Sequence, residues 1–273
     1  MMEQKRILSV QDISCLGKAA NTVALPVLSA LGHECVVLPT ALLSTHTGGF
    51  TDYTFLDLTE EMKKIIGHWR KIRLKFDGLL TGYFGSVEQL DIVAEYVARD
   101  QKDIFRFVDP VIGDNGTLYS IYDESFASHM RKFCMNADVV TPNLTEAALV
   151  TGLPFRGNHF EESWAREVIA AFRELGAKKT VLTGVRYGDD EIGLFAVDNE
   201  TGEEGKFSTP YVDAYLPGTG DVLASSLCAY MMAEEPFLSA AEKALRFTYA
   251  SIQDTIGSKK FYGLNFEPHL REL

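Results

Sequence analysis

Leu216-Pro217-Gly218-Thr219-Gly220-Asp221, followed by the apolar run Val222 to Tyr230 (VLASSLCAY), is the stretch on which the fold turns. Two glycines around a threonine let the backbone turn tightly, and the apolar run predicts a helix beginning near Gly220 or Asp221. The first N–H groups of a helix have no intrahelical partners and point outward together, which favours an anion. A side chain in place of glycine would keep a phosphate away from that backbone. Asp221 then has two readings. It is an ordinary N-terminal aspartate satisfying an orphan N–H. Alternatively it is a general base beside an anion hole, taking a proton from an alcohol while the hole stabilises a transferring phosphoryl group. The turn alone does not choose between them.

The chain before this turn alternates strands and helices. Arg6 to Val10 predicts a buried strand ending in a polar turn, Gln11 to Ser14. A helix is expected from Gly17, with Pro26 demanding a kink or a late start, and then a strand from Glu34 to Leu38. Such alternation implies right-handed crossovers and a parallel sheet. Ser44 to Phe50 (STHTGGF) reads as a surface turn or a substrate-facing loop, and Tyr53 to Leu56 as a small edge strand. Thr59 to Lys75 is an amphipathic helix capped by Thr59, and Ser86 to Arg99 and Asp123 to Phe133 are further helices. The strands Asp77 to Thr81, Ile104 to Val108 and Asp138 to Thr141 run into Gly82-Tyr83, Asp109 to Gly116, and Pro142-Asn143-Leu144-Thr145-Glu146. Ligands of open α/β sheets bind beyond such carboxyl ends. Asn143 and Glu146 form either a capping box or a pair holding water on a magnesium ion.

After a helix from Glu161 to Leu175, the strand Lys179 to Thr183 leads to an edge hairpin, Glu191 to Val197 with Lys206 to Thr209. Helices from Asp221 to about Ala233 and from Ser239 to about Ile256 follow, with a last small strand from Phe261 to Phe266. The four cysteines, Cys15, Cys35, Cys134 and Cys228, lack C-x-x-C spacing and read as buried free thiols in a reducing compartment. With 38 acidic against 26 basic residues the formal charge is -12, which excludes general attraction to nucleic acid. Lys259-Lys260 reads as a solvated pair, suited to nucleotide by charge alone. The apolar stretch in MMEQKRILSV is too short for a signal peptide, no segment has the length of a membrane span, and a cytoplasmic setting is expected. Neither G-x-G-x-x-G after the first strand nor G-x-x-x-x-G-K-[ST] occurs, so dinucleotide and P-loop folds are poor fits.

Ser9-Val10-Gln11, Ser44 to Phe50, Leu80-Thr81-Gly82-Tyr83, Asp109 to Gly116, Thr141-Pro142-Asn143 with Glu146, and Gly218-Thr219-Gly220-Asp221 together resemble the ribokinase-like superfamily. Within it they are similar to the pyridoxal (pyridoxine/pyridoxamine) kinases, with overlap to the hydroxymethylpyrimidine kinases. The resemblance implies one domain over residues 1–273: a three-layer α/β/α sandwich with a mostly parallel sheet and small edge strands. It also implies ATP-dependent phosphorylation of a hydroxymethyl group on a substituted pyridine, and a homodimer.

By the same resemblance Asp221 is the catalytic base, with Gly218, Thr219 and Gly220 forming the anion hole. Asp114, Asn143 and Glu146 organise magnesium and ATP, Thr183 contacts nucleotide phosphate, and Asp109 and Thr141 match positions associated with a monovalent cation such as potassium. Glu146 also counts among the metal residues. Ser9, Asp12, Thr47 and Tyr83 match pyridine-contacting positions, with His46 beside them as a surface, acid/base or ring-stacking histidine. Family members commonly carry serine where this chain has Asp12. That carboxylate either contacts a polar ring substituent, pairs with cationic pyridoxamine, or faces solvent. The alternatives for the whole chain are a hydroxymethylpyrimidine kinase of the same fold and a non-catalytic vitamin-binding protein.

Overall fold

The computed structural model describes residues 4–256, 258 and 262–273. Its first half runs β1 (Arg6–Leu16), α1 (Asn21–Ala30), β2 (Glu34–Thr45), β3 (Phe55–Asp57), α2 (Thr59–Lys71), β4 (Gly78–Thr81), α3 (Val87–Asp100) and β5 (Phe105–Val108). A two-residue hairpin, β6 (Gly113–Asp114) and β7 (Thr117–Leu118), precedes α4 (Glu124–Phe133), β8 (Val139–Val140), α5 (Leu144–Thr151) and α6 (Glu162–Glu174). Then follow β9 (Lys179–Arg186), β10 (Glu191–Asp198), β11 (Glu204–Pro210), α7 (Thr219–Met232), α8 (Phe237–Ile256) and a 3-10 turn at Glu267–Glu272.

Nine strands form one sheet in the order β11-β10-β9-β8-β5-β4-β1-β2-β3. The six from β9 to β2 are parallel, while β10, β11 and β3 pair antiparallel at the two edges. The mostly parallel sheet with small edge strands is therefore as expected. Strands buried on both sides carry apolar residues on both. In β1, Leu8 and Val10 join the core under α2 to α6, whereas Ile7 joins the core under α1, α7 and α8. The result is three layers.

Several local expectations change. β1 does not turn at Gln11 but runs on to Leu16, because β2 accompanies it to Thr45. α1 starts late, at Asn21, yet still carries Pro26 inside it. Thr59 does not cap α2: it is already the first helical residue, its N–H donates to Asp57 Oδ1 at 2.9 Å, and its hydroxyl accepts from Gln89 Nε2 at 2.9 Å. That helix also ends at Lys71, and Arg73 then turns with φ 55°. The edge strand sits at Phe55–Asp57, and α8 begins at Phe237. Of the expected last strand, Phe261 lies outside the described residues, as do Lys259 and Lys260, and within 262–266 only Gly263 bridges, to Lys18. Cys134 and Cys228 are buried, but Cys35 is half-buried and Cys15 exposed. Among the described residues no helix is long and apolar enough to cross a membrane.

Candidate active site

The carboxyl ends of the parallel strands open on one edge of the sheet, and the N-termini of α1 and α7 meet there. Gly218 caps α7 in the left-handed region at φ 82°, and a Cβ on it would overlap the Lys18 carbonyl oxygen. Only glycine lets this turn rest on the segment from Gly17 to Ala20. Thr219 donates its hydroxyl to the Leu216 carbonyl at 2.7 Å, which holds the turn closed. Gly220 is exposed, and a Cβ there would meet nothing within 4 Å. Asp221 follows in the first helical turn, where its carboxylate accepts the Ala20 N–H. Burial raises its pKa, and that N–H opposes the rise.

On the acceptor side, β1 and β4 part company after Val10 pairs with Thr81. The continuing β1 projects past β4 into the crevice. Its pairing with β2 slips between Gln11 and Ile13, which face Pro39 and Leu42, so that two residues of β2, Thr40 and Ala41, bulge opposite a single side chain of β1. That side chain is Asp12. It is 8% exposed, so the solvent-facing alternative fails. Its Oδ2 accepts the Ser14 hydroxyl at 3.0 Å. Burial first, then the charge of Asp221, push its pKa from 3.8 up to about 6.

Ser9 is fully buried and accepts from Gln11 Nε2 at 2.9 Å, so it lies beneath the crevice floor. Gly82 admits this arrangement, since a Cβ would sit 2.5 Å from Gln11 Oε1. The half-buried Tyr83 places its ring 6.3 Å from that of Tyr122, and burial raises its pKa above the usual phenol range. Thr47 is exposed. His46 is buried, which removes the surface reading: Nδ1 accepts the Gly48 N–H at 3.1 Å and the ring stands edge-on to Phe50 at 5.1 Å. Burial lowers its pKa, with the Tyr262 backbone opposing, so neutral imidazole is favoured. Gly48 packs beneath Tyr215 and Pro217, where a Cβ would lie 2.9 Å from the Tyr215 hydroxyl, so this loop touches the stretch leading into the anion turn.

On the opposite side, Asp109 follows β5 and Thr141 follows β8, and the threonine hydroxyl donates to Asp109 Oδ1 at 3.1 Å. The capping box at the start of α5 forms in full: Asn143 Oδ1 accepts the Glu146 N–H at 2.9 Å, and Glu146 Oε2 accepts the Asn143 N–H at 2.8 Å. Asn143 Nδ2 adds a bond to the Gly113 carbonyl at 3.0 Å, and Glu146 Oε1 accepts the Ile112 N–H at 3.3 Å. Asp114 is exposed on the β6–β7 hairpin, beside an Asn115-Gly116 turn with φ 50° and 80°. Thr183 is half-buried in the middle of β9, which runs on to Arg186 instead of ending there, and its N–H donates to the Pro142 carbonyl at 3.0 Å. Both buried acids ionise reluctantly. Asp109 is raised well above 3.8 by burial and then by Asp221, with the Thr141 hydroxyl opposing. Glu146 is raised by burial and then by Asp109, with the Asn143 and Ile112 N–H groups opposing.

These acids fit a hydrated cation. Among the described residues no three His, Cys, Asp or Glu side chains form a direct ligand cage. Magnesium needs none, because it keeps several waters and uses one or two carboxylates with substrate phosphates. A groove of about 690 Å³ opens elsewhere, around Ile104, Phe105 and Arg106 at the other end of β5, and holds none of the predicted residues.

Sequence reasoning missed Ala20, which holds Asp221 through its backbone at the strained angles φ 51° and ψ -128°. The signal lay in Gly17 with the small pair Ala19-Ala20, which lets α1 approach the turn closely. It also missed Tyr122, whose hydroxyl donates to the Phe84 carbonyl at 2.6 Å, and Tyr119, which faces Glu146, Asp114 and Asp109.

With an anion turn, an adjacent carboxylate and an acidic opposite wall on a parallel α/β sheet, the crevice is that of a small-molecule kinase. The chain belongs to the phosphomethylpyrimidine kinase family, whose model matches residues 24–265. A Dictyostelium discoideum pyridoxal kinase is 27% identical over 99% of this chain and 93% of its own. A Bacteroides thetaiotaomicron protein assigned as a phosphomethylpyrimidine kinase, in a crystal form with pyridoxal, is 33% identical with a TM-score of 0.93, covering 99% of this chain and 96% of its own. The Leishmania donovani pyridoxal kinase in complex with ADP and pyridoxamine is 26% identical with a TM-score of 0.87, covering 98% and 95%.

Proposed function

We propose that this chain, acting as one kinase domain in the cytoplasm, transfers the terminal phosphoryl group of ATP to the hydroxymethyl oxygen of pyridoxal, pyridoxine or pyridoxamine. The observation that carries this is the carboxylate of Asp221, fixed by the Ala20 N–H at the N-terminus of α7 beside Gly218, Thr219 and Gly220. The kinship with pyridoxal kinases and with a pyridoxal-bound neighbour supports a pyridine over a pyrimidine acceptor.

In this reading Asp221 takes the proton of the alcohol as the oxygen–phosphorus bond forms. The bond from the terminal phosphorus to its bridging oxygen breaks, and ADP leaves with that electron pair. Such a loose transition state needs positioning and charge stabilisation more than a strong base. N–H groups of the turn face the phosphoryl oxygens, and Thr183 contacts the nucleotide phosphates. Ser9, Asp12, His46, Thr47 and Tyr83 frame the ring. Asp114, Asn143 and Glu146 would hold magnesium through water, and Asp109 with Thr141 a monovalent cation such as potassium. Bound there, these ions would neutralise phosphate charge. The exposed Leu42, Tyr53, Phe55 and Leu56 around β3 support a homodimer formed along that edge.

The test is a coupled ADP-release assay with magnesium-ATP and pyridoxal, pyridoxine, pyridoxamine or hydroxymethylpyrimidine. Turnover on the pyridines, lost by at least a hundredfold in a folded Asp221→Asn variant, is expected. Turnover confined to the pyrimidine would move the acceptor, and a folded variant of near-normal rate would remove Asp221 as base.

A further inference from the structure

Asp12 is the carboxylate of the crevice to which phosphoryl transfer gives no task. We propose that Asp12 selects among ring alcohols, favouring an acceptor with a cationic aminomethyl group over one with a neutral hydroxymethyl group, and that over an aldehyde. This rests on the pyridine-alcohol reading above and names the member of that class the site prefers.

The carboxylate has reached its place without a countercharge. It is 8% exposed, its bonded partner is the neutral hydroxyl of Ser14, and no basic group acts on it among the described residues. The groups that share its field are Asp221 on α7, Tyr83 after β4 and Tyr122 before α4. Two carboxyl groups and two phenols lie within one another's field, and none of them is a cation. A buried unpaired anion is costly, and an ammonium that enters beside it recovers much of that cost.

An aldehyde oxygen has no proton to donate, so it would set acceptor against acceptor, whereas a hydroxyl can still donate. The raised pKa of Asp12 agrees with an environment that lacks its cation. Position adds specificity. Asp12 projects from a strand on which Leu8 and Val10 are locked in the core, not from a loop, so its carboxylate is held with little freedom.

The experiment measures kcat/KM for pyridoxamine, pyridoxine and pyridoxal on the full chain and on Asp12→Asn and Asp12→Ser, with calorimetric binding of pyridoxamine to each. We expect the ratio of pyridoxamine to pyridoxal efficiency to fall at least tenfold in both variants, mainly through KM. Pyridoxamine affinity should weaken by a similar factor. A ratio within twofold of the unsubstituted chain, in variants that still phosphorylate pyridoxal, would overturn the assignment. If the unsubstituted chain phosphorylated none of the three, the reaction proposed above would fall. The binding arm would then decide alone: a tenfold loss of pyridoxamine affinity upholds Asp12, and equal affinities overturn it.

Discussion

The two glycines of the anion turn should fail in opposite ways when each is replaced by alanine. At Gly218 the residue sits at φ 82° and its Cβ would overlap the backbone carbonyl oxygen of Lys18, which cannot rotate away. The left-handed conformation alone costs a side-chain-bearing residue ~1–2 kcal/mol, and the overlap adds to it. A loss of at least ~2 kcal/mol is expected, or a fall in Tm of ~3–4 °C or more for a chain of this size. At Gly220 the added methyl meets open space and the conformation is helical. Gly220→Ala should therefore hold or raise Tm, since alanine gains up to ~1 kcal/mol over glycine in a helix. That methyl would stand where a phosphate must approach the backbone, and turnover should fall ~10²–10³-fold, as for loss of an anion-hole donor. Thermal denaturation beside the ADP-release assay separates the two effects. A Gly220→Ala variant with turnover within twofold of normal would refute the anion-hole reasoning, and a Gly218→Ala variant of unchanged Tm would refute the packing reasoning.

The pKa of Asp12 at about 6 in the native state, against 3.8 ordinarily, predicts a pH signature. The native state holds that proton more tightly, so stability falls as pH rises from about 4 to about 6, by ~3 kcal/mol for this group. Asp12→Asn should match the unsubstituted chain near pH 4 and exceed its stability at pH 7.5 in urea titrations; lower stability at pH 7.5 would contradict the burial argument. Ala20→Gly should leave Tm level or raise it, because relief of ~1–3 kcal/mol of backbone strain offsets a looser unfolded chain. The bulkier Ala20→Val should lower Tm, and a larger loss with glycine than with valine would show the strain reading to be wrong. Leu56→Lys, at a position 57% exposed, should halve the sedimenting mass without changing the circular dichroism spectrum. A monomer mass for the unsubstituted chain, or an unchanged mass in the variant, would refute the proposed edge dimer.

Strand and helix order was readable because periodicity and capping residues act locally. Asp123 caps α4 by accepting the Phe126 N–H at 2.9 Å, as its place before an amphipathic run implies. The Asn143–Glu146 box is equally local. What escaped depends on partners distant in the chain. Gln11 to Ser14 looks like a turn because it is polar, and stays a strand only because β2 extends beside it. Thr59 looks like a cap, yet it lies inside α2 and its hydroxyl is bound by the distant Gln89. His46 looks exposed in its hydroxyl- and glycine-rich run, yet the bare backbone of Gly17 leaves room for its ring. The Asn115-Gly116 hairpin under Asp114 is local again, since that dipeptide suits its two positive φ angles.

The bond from the Ala20 backbone to Asp221 joins points roughly 200 residues apart, a separation of the kind that makes closure late in folding. A chain emerging from the ribosome would present β1 and β2 long before α7 exists. Until α7 docks on α1, neither the proposed base nor the turn before it is in place. A chain cut short before Leu216 would hold all the strands of its sheet and still lack α7, the carboxylate and the turn to which the proposed transfer is assigned.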